Sequence, residues 1–463
     1  MSEHAAVKEC DIRGPWPDEV DATLFDQVGR NFGATVAAAR FAGLNPATVV
    51  VGGDGRASTP ALRSALQDGL LAEGVDVFDV VGAAPTPALY WMRQVLAAQA
   101  IAIVTASHSP PHWNGLKVMN GPLPPTPADV KALDAAPPPR RAAGRRHPIG
   151  GILDAYVAAR LAPFAGAGLS GLKLVVDPGG GCMSGVASRA FRELGTIVDA
   201  LHDELDPAFR QRHPDCAVPG HLTELAVRVP AVGAAMGVAF DGDGDRLAII
   251  DDRGHFVPAE KVAMLLVDGP VSVRPGEVVV LDIKASMQLE RAVVRRGGQA
   301  VRMKSGHAHM KRAVIERGAV LGSEVSGHLF FGALAAIDDP LFAALTLARW
   351  LAGGGVPLSE RVDALPAFHL SPDLRLSLSD AEIDALLQSL PGRFPDAEAQ
   401  RIDGVRLVWP EGWLLARHSI TEAACTLRFE GEDATALAAI RSRFVAAYPA
   451  LVPALDAAAA AKA

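Results

Sequence analysis

The chain has few cysteines and no excess of basic residues. Its four cysteines are widely spaced and form no paired motif for a zinc ion or a redox dithiol. Reduced thiols are therefore expected, and we predict a cytoplasmic protein. Lys and Arg total 44 against 52 Asp and Glu, which gives a formal net charge of −8. This balance disfavours nucleic acid as a partner, because such binding needs a basic face.

Long apolar runs are also missing. No stretch approaches the roughly 20 residues that span a bilayer, and the first residues carry no apolar core of a secretion signal. We therefore expect no membrane association. Core material is nevertheless plentiful, because hydrophobic residues make up 49% of the 463 positions. A chain of this length is long enough for several domains of ordinary size.

Short apolar runs alternate with segments of helical length along most of the chain. Clear examples are residues 100–104, 236–240 and 278–282, each followed by a polar loop. This alternation predicts α/β domains with mostly parallel or mixed sheets. A stretch rich in Pro, Ala and Arg at 122–147 interrupts the pattern and indicates a nearby domain junction. After about residue 365 the pattern changes to that of a smaller α+β domain.

The loop after residues 100–104 carries a candidate nucleophile. Ser107 lies beside His108, with Lys117 a few residues further on. A hydroxyl at the end of a buried strand, with a base and a positive charge nearby, suits covalent catalysis. A polar turn or a helix cap is the ordinary interpretation of such a serine. A serine hydrolase is disfavoured, because no Gly-x-Ser-x-Gly elbow surrounds Ser107.

A second loop is rich in carboxylates. Asp241, Asp243 and Asp245 are separated by single glycines and followed by Arg246. Alternate residues of an extended segment point the same way, so we expect the three carboxylates to converge on one cation. All-oxygen ligation with open positions favours Mg²⁺ over Ca²⁺. An EF-hand is disfavoured, because Asp252 stands where that loop has its Glu. An acidic surface turn is the plainer alternative.

Two later loops are polar in a way that suits a phosphorylated sugar. Glu324 and Ser326, in a loop with glycines, can hold vicinal sugar hydroxyls. Arg417, Ser419 and Thr421 present a guanidinium and two hydroxyls at alternate positions, as a phosphate cradle would. Each loop alone is equally well explained as a turn, a helix cap or an edge strand.

Together these motifs resemble the α-D-phosphohexomutase superfamily over nearly the whole chain. The family's phosphoserine, metal, sugar and phosphate loops occur in order as Thr-Ala-Ser-His, Asp-Gly-Asp-Gly-Asp-Arg, Glu-x-Ser-Gly-His and Arg-x-Ser-x-Thr. The Asp-Ile-Arg-Gly start and the Glu-Val-Ser-Gly-His loop resemble the bacterial phosphomannomutase/phosphoglucomutase branch. Phosphoglucosamine mutases usually carry Thr-Asp-Gly-Val-Arg-Gly and Glu-Gln-Ser-Gly-His instead. Supporting matches are Gly53-Asp54-Gly55-Arg56, Pro85-Thr86-Pro87, Lys304-Ser305-Gly306-His307 and Asp403-Gly404-Val405-Arg406.

The resemblance implies three related mixed-sheet α/β domains and a C-terminal α+β domain around a central cleft. We place the phosphoserine loop in a domain of residues 1–150 and the metal loop in one of residues 151–252. The sugar loop then belongs to residues 253–365 and the phosphate loop to residues 366–463. The chain is expected to be a monomer or a weak homodimer. Its expected ligand is a small phosphosugar.

The implied reaction moves a phosphoryl group reversibly between the 1- and 6-positions of mannose or glucose phosphate. It implies a phosphoserine at Ser107, a hexose 1,6-bisphosphate as intermediate and activator, and one Mg²⁺ per chain. The metal ligands implied are Ser107, Asp241, Asp243 and Asp245. The catalytic residues implied are Ser107, His108, Lys117, Arg246 and Arg13. The substrate-binding residues implied are Lys284, His307, Glu324, Ser326, His328, Arg417, Ser419 and Thr421.

Four positions depart from the family pattern. Cys10 replaces a Tyr, Ser109 an Asn, Ser323 a Gly and Ile420 an Asn. These departures leave open the preference among mannose, glucose and glucosamine phosphates. The alternatives are therefore a phosphoglucosamine mutase, a sugar-phosphate phosphatase that lets water take the phosphate from Ser107, and a non-catalytic paralogue that binds phosphosugars.

Overall fold

The computed structural model describes residues 4–139, 143–166, 168–419 and 424–460. Its strands form four sheets, which follow one another along the chain. Among the described residues, no helix has both the length and the apolar character needed to cross a membrane.

The first sheet collects the strands of the N-terminal third of the chain. They are β1 (Ile12–Pro15), β2 (Asn45–Gly53), β3 (Asp76–Val80), β4 (Ala98–Val104), β5 (Trp113–Asn120) and β6 (Arg146–Ile149). The helices are α1 (Ala22–Ala38), α2 (Thr59–Leu71), α3 (Thr86–Val95) and α4 (Pro127–Ala132). The strand order is β1-β5-β4-β2-β3-β6. After the Pro-rich interruption at 122–147, the chain therefore returns to the edge of the same sheet.

The second and third sheets are built in the same way. The second unit contains α5 (Ile152–Leu161), β7 (Lys173–Asp177), α6 (Ala187–Glu193), β8 (Ile197–Ala200), α7 (Thr223–Ala231), β9 (Met236–Phe240), β10 (Leu247–Asp251) and β11 (Phe256–Val257). The third contains α8 (Ala259–Asp268), β12 (Val278–Asp282), α9 (Met287–Arg295), β13 (Gln299–Met303), α10 (His307–Arg317), β14 (Leu321–Ser323), β15 (Leu329–Phe331), β16 (Ile337–Asp338), α11 (Pro340–Ala352) and α12 (Leu358–Asp363).

The three sheets share one strand order. The central strands β2, β7 and β12 pair in parallel with β3, β8 and β13 on one side. On the other side they pair in parallel with β4, β9 and β14, which then pair antiparallel with β5, β10 and β15. The phosphoserine, metal and sugar loops each follow β4, β9 or β14. They therefore leave equivalent edges, where the carboxyl ends of parallel strands bring loops together.

The fourth sheet has six strands and is antiparallel. Its strands are β17 (His369–Leu370), β18 (Leu374–Leu376), β19 (Glu398–Gln400), β20 (Val405–Trp409), β21 (Gly412–His418) and β22 (Cys425–Gly431), and its helices are α13 (Asp380–Arg393), α14 (Ala434–Ala447) and α15 (Val452–Ala460). Helix α13 begins at a capping box in which Ser379 and Glu382 satisfy each other's backbone N–H groups. The predicted fold class, three related mixed-sheet α/β units and a C-terminal α+β unit, is confirmed. The boundaries at residues 150, 252 and 365 stay predictions.

Apolar packing joins the units. Strand β4 is buried at every position, as expected for a strand covered on both faces. One core runs through the first three units and includes Ile101, Tyr156 and Leu281. The fourth unit has a core of its own, and a small cluster that includes Met287 and Trp413 connects it to the third. The four loops are thus carried on a packed scaffold.

Candidate active site

The backbone of the Ser107 loop is held in an uncommon conformation. Ser107 has a φ of 51°, in the left-handed region that costs a non-glycine residue roughly 1 kcal/mol or more. Its N–H donates to Thr105 Oγ1 at 2.8 Å, and Arg56 donates to the carbonyls of Ser107 and Ser109 at 2.7 Å each. Arg56 is itself fixed by Asp54, at 3.0 Å from Nε to Oδ2. These bonds fix the direction in which the hydroxyl points.

The Ser107 hydroxyl points at the metal loop. Its Oγ donates to Asp241 Oδ2 at 2.9 Å and lies 3.2 Å from His108 Nδ1. Burial holds the pKa of His108 well below its usual value, and the positive charges of Arg246 and Arg13 lower it further. A neutral imidazole beside a hydroxyl can accept its proton. The structure thus places Ser107 beside His108, with Arg246 and Arg13 close enough for their charges to act on the imidazole.

The aspartate loop is a tight turn between β9 and β10. The expectation of an extended segment is therefore wrong, although its carboxylates do converge. Asp241 Oδ1 accepts the N–H groups of Asp245 and Arg246 at 3.0 and 3.1 Å, which curls the backbone. Gly244 supplies a φ of 71° that other residues rarely adopt. One carboxylate oxygen each from Asp241, Asp243 and Asp245 lies within 4.8 Å of the others.

The charges of this turn call for a cation. Burial raises the pKa of Asp241 to about 8, and repulsion from Asp243 and Asp245 adds to the effect. Burial opposes the charged forms of Asp243 and Lys117 as well, but their mutual attraction lowers the pKa of Asp243 and raises the pKa of Lys117. Lys117 Nζ lies 2.7 Å from Asp243 Oδ2 and 2.6 Å from Asp245 Oδ2. Thr86 Oγ1 also donates to Asp243 Oδ2, at 2.8 Å.

The donor set fits a hard divalent cation. Asp243 Oδ1 and Asp245 Oδ1 are buried and have no hydrogen-bond partner among the described residues. Unpaired carboxylate oxygens in a dry site are costly unless a positive charge satisfies them. Three carboxylates that converge from one turn match the oxygen ligands that Mg²⁺ prefers.

A second charged group extends from the turn into the third unit. Arg246 Nε donates to His328 Nε2 at 3.0 Å. Because a guanidinium can only donate, that ring nitrogen is the acceptor. The other ring nitrogen, Nδ1, lies 3.3 Å from Asp338 Oδ2 and 3.6 Å from Asp245 Oδ1. Asp338 is bound in turn by Lys311, at 2.9 Å. His328 is therefore oriented by groups on both of its edges.

The sugar loop offers polar atoms without partners. Glu324 Oε1 accepts the N–H of Gly306 at 2.8 Å. Glu324 Oε2, Ser326 Oγ and His307 Nε2 are buried and lack a hydrogen-bond partner among the described residues. Burial raises the pKa of Glu324 and lowers the pKa of His307. A cluster of buried, unpaired donors and acceptors is suited to a ligand with several hydroxyl groups.

The phosphate loop is only partly described. Arg417 lies near the end of β21, and its Nη1 is 2.5 Å from Asp403 Oδ2. The N–H of Ser419 donates to the carbonyl of Ala424 at 2.8 Å. Thr421 and the departure at Ile420 lie outside the described residues. Lys284, the remaining predicted substrate residue, lies 3.1 Å from Asp373 Oδ2.

The other departures are accommodated in different ways. Cys10 is buried, with its pKa raised to about 12 by burial and by Asp11, so it is a neutral thiol. Ser109 contacts Arg56 through its carbonyl, which any residue would supply. Ser323 Oγ is buried without a partner among the described residues, at the end of β14 just before the sugar loop.

Several residues in this region were not predicted as site residues. Thr86 contacts the metal loop, Arg56 holds the nucleophile loop, and Asp338 orients His328. The first two belong to matched motifs whose neighbours in space were unknown. A usable signal existed for Arg56, because its motif directly follows the apolar run at 48–51, where the loops after parallel strands meet.

Known proteins resemble the chain over nearly its whole length. Family models described as phosphoglucomutase/phosphomannomutase, alpha/beta/alpha domains I, II and III match residues 4–135, 154–254 and 259–368. A phosphomannomutase/phosphoglucomutase of Pseudomonas syringae pv. tomato is 32% identical over 451 residues, which cover 96% of this chain and 95% of the relative. A phosphoglucomutase of Neisseria gonorrhoeae is 31% identical, with 95% of each chain covered.

A solved structure agrees with these relatives. The phosphoglucomutase/phosphomannomutase family protein of Burkholderia thailandensis superposes with a TM-score of 0.86 at 33% identity, and the match covers 98% of this chain and 99% of that one. The matches in sequence and in structure confirm the resemblance inferred from the motifs. The chain therefore belongs to the phosphoglucomutase/phosphomannomutase family, isomerases of the α-D-phosphohexomutase superfamily.

Proposed function

We propose that the chain moves a phosphoryl group reversibly between O1 and O6 of mannose or glucose phosphate, with Ser107 as the phosphoryl carrier. The contact between Ser107 Oγ and Asp241 Oδ2, at 2.9 Å, carries this proposal. It joins the nucleophile and the carboxylate cage into one buried site, although they come from different sheets. Phosphoryl transfer needs a positioned nucleophile beside a site for a divalent cation.

Mg²⁺ would be held by Asp241, Asp243 and Asp245, together with an oxygen on Ser107. When bound, the ion supplies positive charge that neutralises the transferring phosphoryl group. Lys117 already lies against two of these carboxylates, so its ammonium is fixed within the carboxylate cage. Arg246 and Arg13 add positive charge near Ser107.

The proton transfers are assigned to His108 and Lys117. When Ser107 takes the phosphoryl group from a hexose bisphosphate, a P–Oγ bond forms and the bond from phosphorus to the sugar oxygen breaks. Neutral His108 takes the proton from Oγ, and the Lys117 ammonium gives one to the sugar oxygen. The reverse step exchanges these roles, so the two half-reactions balance.

The bisphosphate must turn over so that its other phosphate faces Ser107. The sugar grip must therefore accept two orientations, and the unpaired atoms of Glu324, Ser326 and His307 support this role. A distal phosphate would be held by Arg417, Ser419 and Thr421, with Lys284 nearby. Such a grip recognises the phosphate and not the carbon atom that bears it.

The decisive experiment compares Ser107→Ala with Ser109→Ala. We expect Ser107→Ala to lose nearly all conversion of glucose 1-phosphate to glucose 6-phosphate while its circular dichroism stays native. Ser109→Ala should keep its activity, because the Ser109 contact with Arg56 uses the backbone. Wild-type turnover in Ser107→Ala would refute the carrier role. Assays with mannose and glucosamine 1-phosphates then rank the sugars, and inorganic phosphate release measures any phosphatase activity.

One variant in the metal loop and one control outside it test the carboxylate cage. Asp243→Asn should lose activity and Mg²⁺ binding together, measured by calorimetry on the purified protein. Asp252→Asn, a short distance along the same chain, serves as the control. Unchanged Mg²⁺ binding by Asp243→Asn would remove this loop from the metal site. A cytoplasmic location and a monomeric or weakly dimeric state remain predictions.

A further inference from the structure

Two cations of the third and fourth units, Lys284 and Arg417, are each paired with a carboxylate. Lys284 Nζ lies 3.1 Å from Asp373 Oδ2, and Arg417 Nη1 lies 2.5 Å from Asp403 Oδ2. The proposed function places the distal phosphate of the substrate at Arg417, with Lys284 nearby. A phosphate that binds to Lys284 and Arg417 must therefore compete with the carboxylates of Asp373 and Asp403.

A third cation of this group, Lys304, is held by a carboxylate of the first unit. Lys304, just before α10, lies with Nζ at 2.5 Å from Glu9 Oε1 and 4.0 Å from Asp403 Oδ1. Glu9 precedes β1 and belongs to the first unit. Its Oε1 also lies 3.7 Å from His309 Nε2. Glu9, Lys304, Asp403 and Arg417 thus form a row of alternating charges that spans the first, third and fourth units.

We infer that Glu9 determines the affinity of the distal phosphate site, because it holds the Lys304 ammonium and offsets its charge. The inference rests on the proposed phosphate-binding role of Arg417. Asp403 belongs to the same unit as Arg417 and positions it. Glu9 comes from another unit and contributes only negative charge to this end of the row. Its removal frees Lys304 to interact with a phosphate, while Arg417 keeps its bond to Asp403 Oδ2.

The size of the effect follows from exposure and charge. The side chains of Lys304 and Glu9 are 29% and 27% exposed, so solvent weakens their attraction. Contact with His309 lowers the pKa of Glu9 to about 2, with Lys304 also contributing, against the opposing effect of burial. Glu9 is therefore charged at every pH at which the enzyme would be assayed. Partly exposed pairs of this kind correspond to about a two- to fivefold change in an equilibrium constant.

The test uses Glu9→Gln in the full chain. We expect the KM for glucose 1-phosphate to fall about two- to fivefold at low ionic strength, with a smaller ratio at high salt because exposed charges are screened. The control is Glu411→Gln, the same chemical change at an exposed turn between β20 and β21, and its KM should match the wild type. In a Lys304→Met background, Glu9→Gln should have no effect.

Three outcomes overturn the inference. The first is an unchanged KM in Glu9→Gln, and the second is an equal fall of KM in Glu411→Gln. The third is an equal fall of KM when Glu9→Gln is made in the Lys304→Met background. That third result would indicate that Glu9 repels the phosphate directly. Failure of the proposed function is recognised separately, because the wild type itself would then neither bind nor interconvert the phosphosugars.

Discussion

Arg56 shows how a single buried side chain fixes the nucleophile loop. Besides its bonds to Ser107 and Ser109, it donates to the carbonyls of Pro110 and Trp113 at 2.6 and 3.1 Å. These bonds hold the left-handed backbone at Ser107, whose strain the surrounding structure must offset. Arg56 is 1% exposed, so bulk solvent does not compete for these contacts.

We therefore expect Arg56→Met to reduce both stability and turnover. The change leaves Asp54 as a buried charge without its partner, a loss of about 3–5 kcal/mol in the free energy of unfolding. Urea denaturation measures that loss, and steady-state kinetics should show a larger fall in kcat than change in KM. Arg56→Lys should recover part of the stability but little of kcat, because an ammonium lacks the fork that reaches several carbonyls. Equal recovery of both would contradict a positioning role.

His202 gives a pH-dependent contribution outside the active site. Its hydrogen bond with Asp177 raises its pKa, against burial, and the charges of Asp177 and Glu224 add to the effect. Because the folded pKa is raised, the stabilisation is complete below the unfolded pKa, about 6.5. It is lost as the pH rises through the folded value.

The corresponding variant is His202→Asn, since Asn tolerates the φ of 47° found there. The difference in free energy of unfolding between wild type and variant should be larger at pH 5.5 than at pH 9, in urea titrations at both values. An identical difference at the two pH values would show that the charged imidazole does not contribute.

At the scale of elements, the N-terminus of α3 supports the metal loop. Thr86 begins this helix in the first unit, and its hydroxyl and N–H contact the side chain and carbonyl of Asp243 at 2.8 and 2.9 Å. Groups that orient metal ligands often matter nearly as much as the ligands. Thr86 is therefore the link by which one sheet sets the geometry of the next sheet's turn.

Thr86→Val should weaken Mg²⁺ binding by about tenfold, because the isosteric side chain cannot donate to Asp243. Calorimetric Mg²⁺ titration measures this directly, without relying on turnover. Thr86→Ser retains the hydroxyl and should bind Mg²⁺ like the wild type. If Val and Ser behave alike, the hydroxyl of Thr86 has no part in ordering the cage.

The elements also show which parts of the site sequence reasoning can reach. Ser107 and the aspartate turn were predictable, because each follows an apolar run and carries a distinctive motif. The turn's shape was not, since it depends on Asp241 accepting two backbone N–H groups. The contact of Thr86 with Asp243 spans 157 positions, and that of Glu9 with Lys304 spans 295. Contacts between separate units leave no periodic signal in the chain.

At the scale of the whole molecule, the fourth unit is attached to the third at a charged helix end. Glu430 on β22 is fully buried and accepts bonds from Ser286 Oγ, from the N–H of Met287 at 2.7 Å and from Trp413 Nε1 at 2.5 Å. Its carboxylate thus caps the start of α9, where negative charge is favoured. This joint fixes the unit that carries Arg417.

Glu430→Gln should loosen this joint. The amide cannot accept all three bonds with the same strength, so we expect a loss of about 1–3 kcal/mol in stability. Differential scanning calorimetry measures the loss, and limited proteolysis should cut faster between α12 and β18. Glu411→Gln, at the exposed turn between β20 and β21, is the matched control. Equal protease sensitivity of the two variants would place the joint elsewhere.

The repeated strand order has a consequence for how such an enzyme can change. Nucleophile, cation cage and sugar grip are each a short insert between β4 and β5, β9 and β10, or β14 and β15, and these strand pairs keep their own register. A loop can therefore be exchanged between relatives as a cassette, without repacking the core beneath it. Grafting residues 324–328 would transfer Glu324, Ser326 and His328, while His307 and Lys284 would stay with the recipient. On the roles proposed for these loops, substrate choice can change through one strand connection while the Ser107 loop and the aspartate turn are kept.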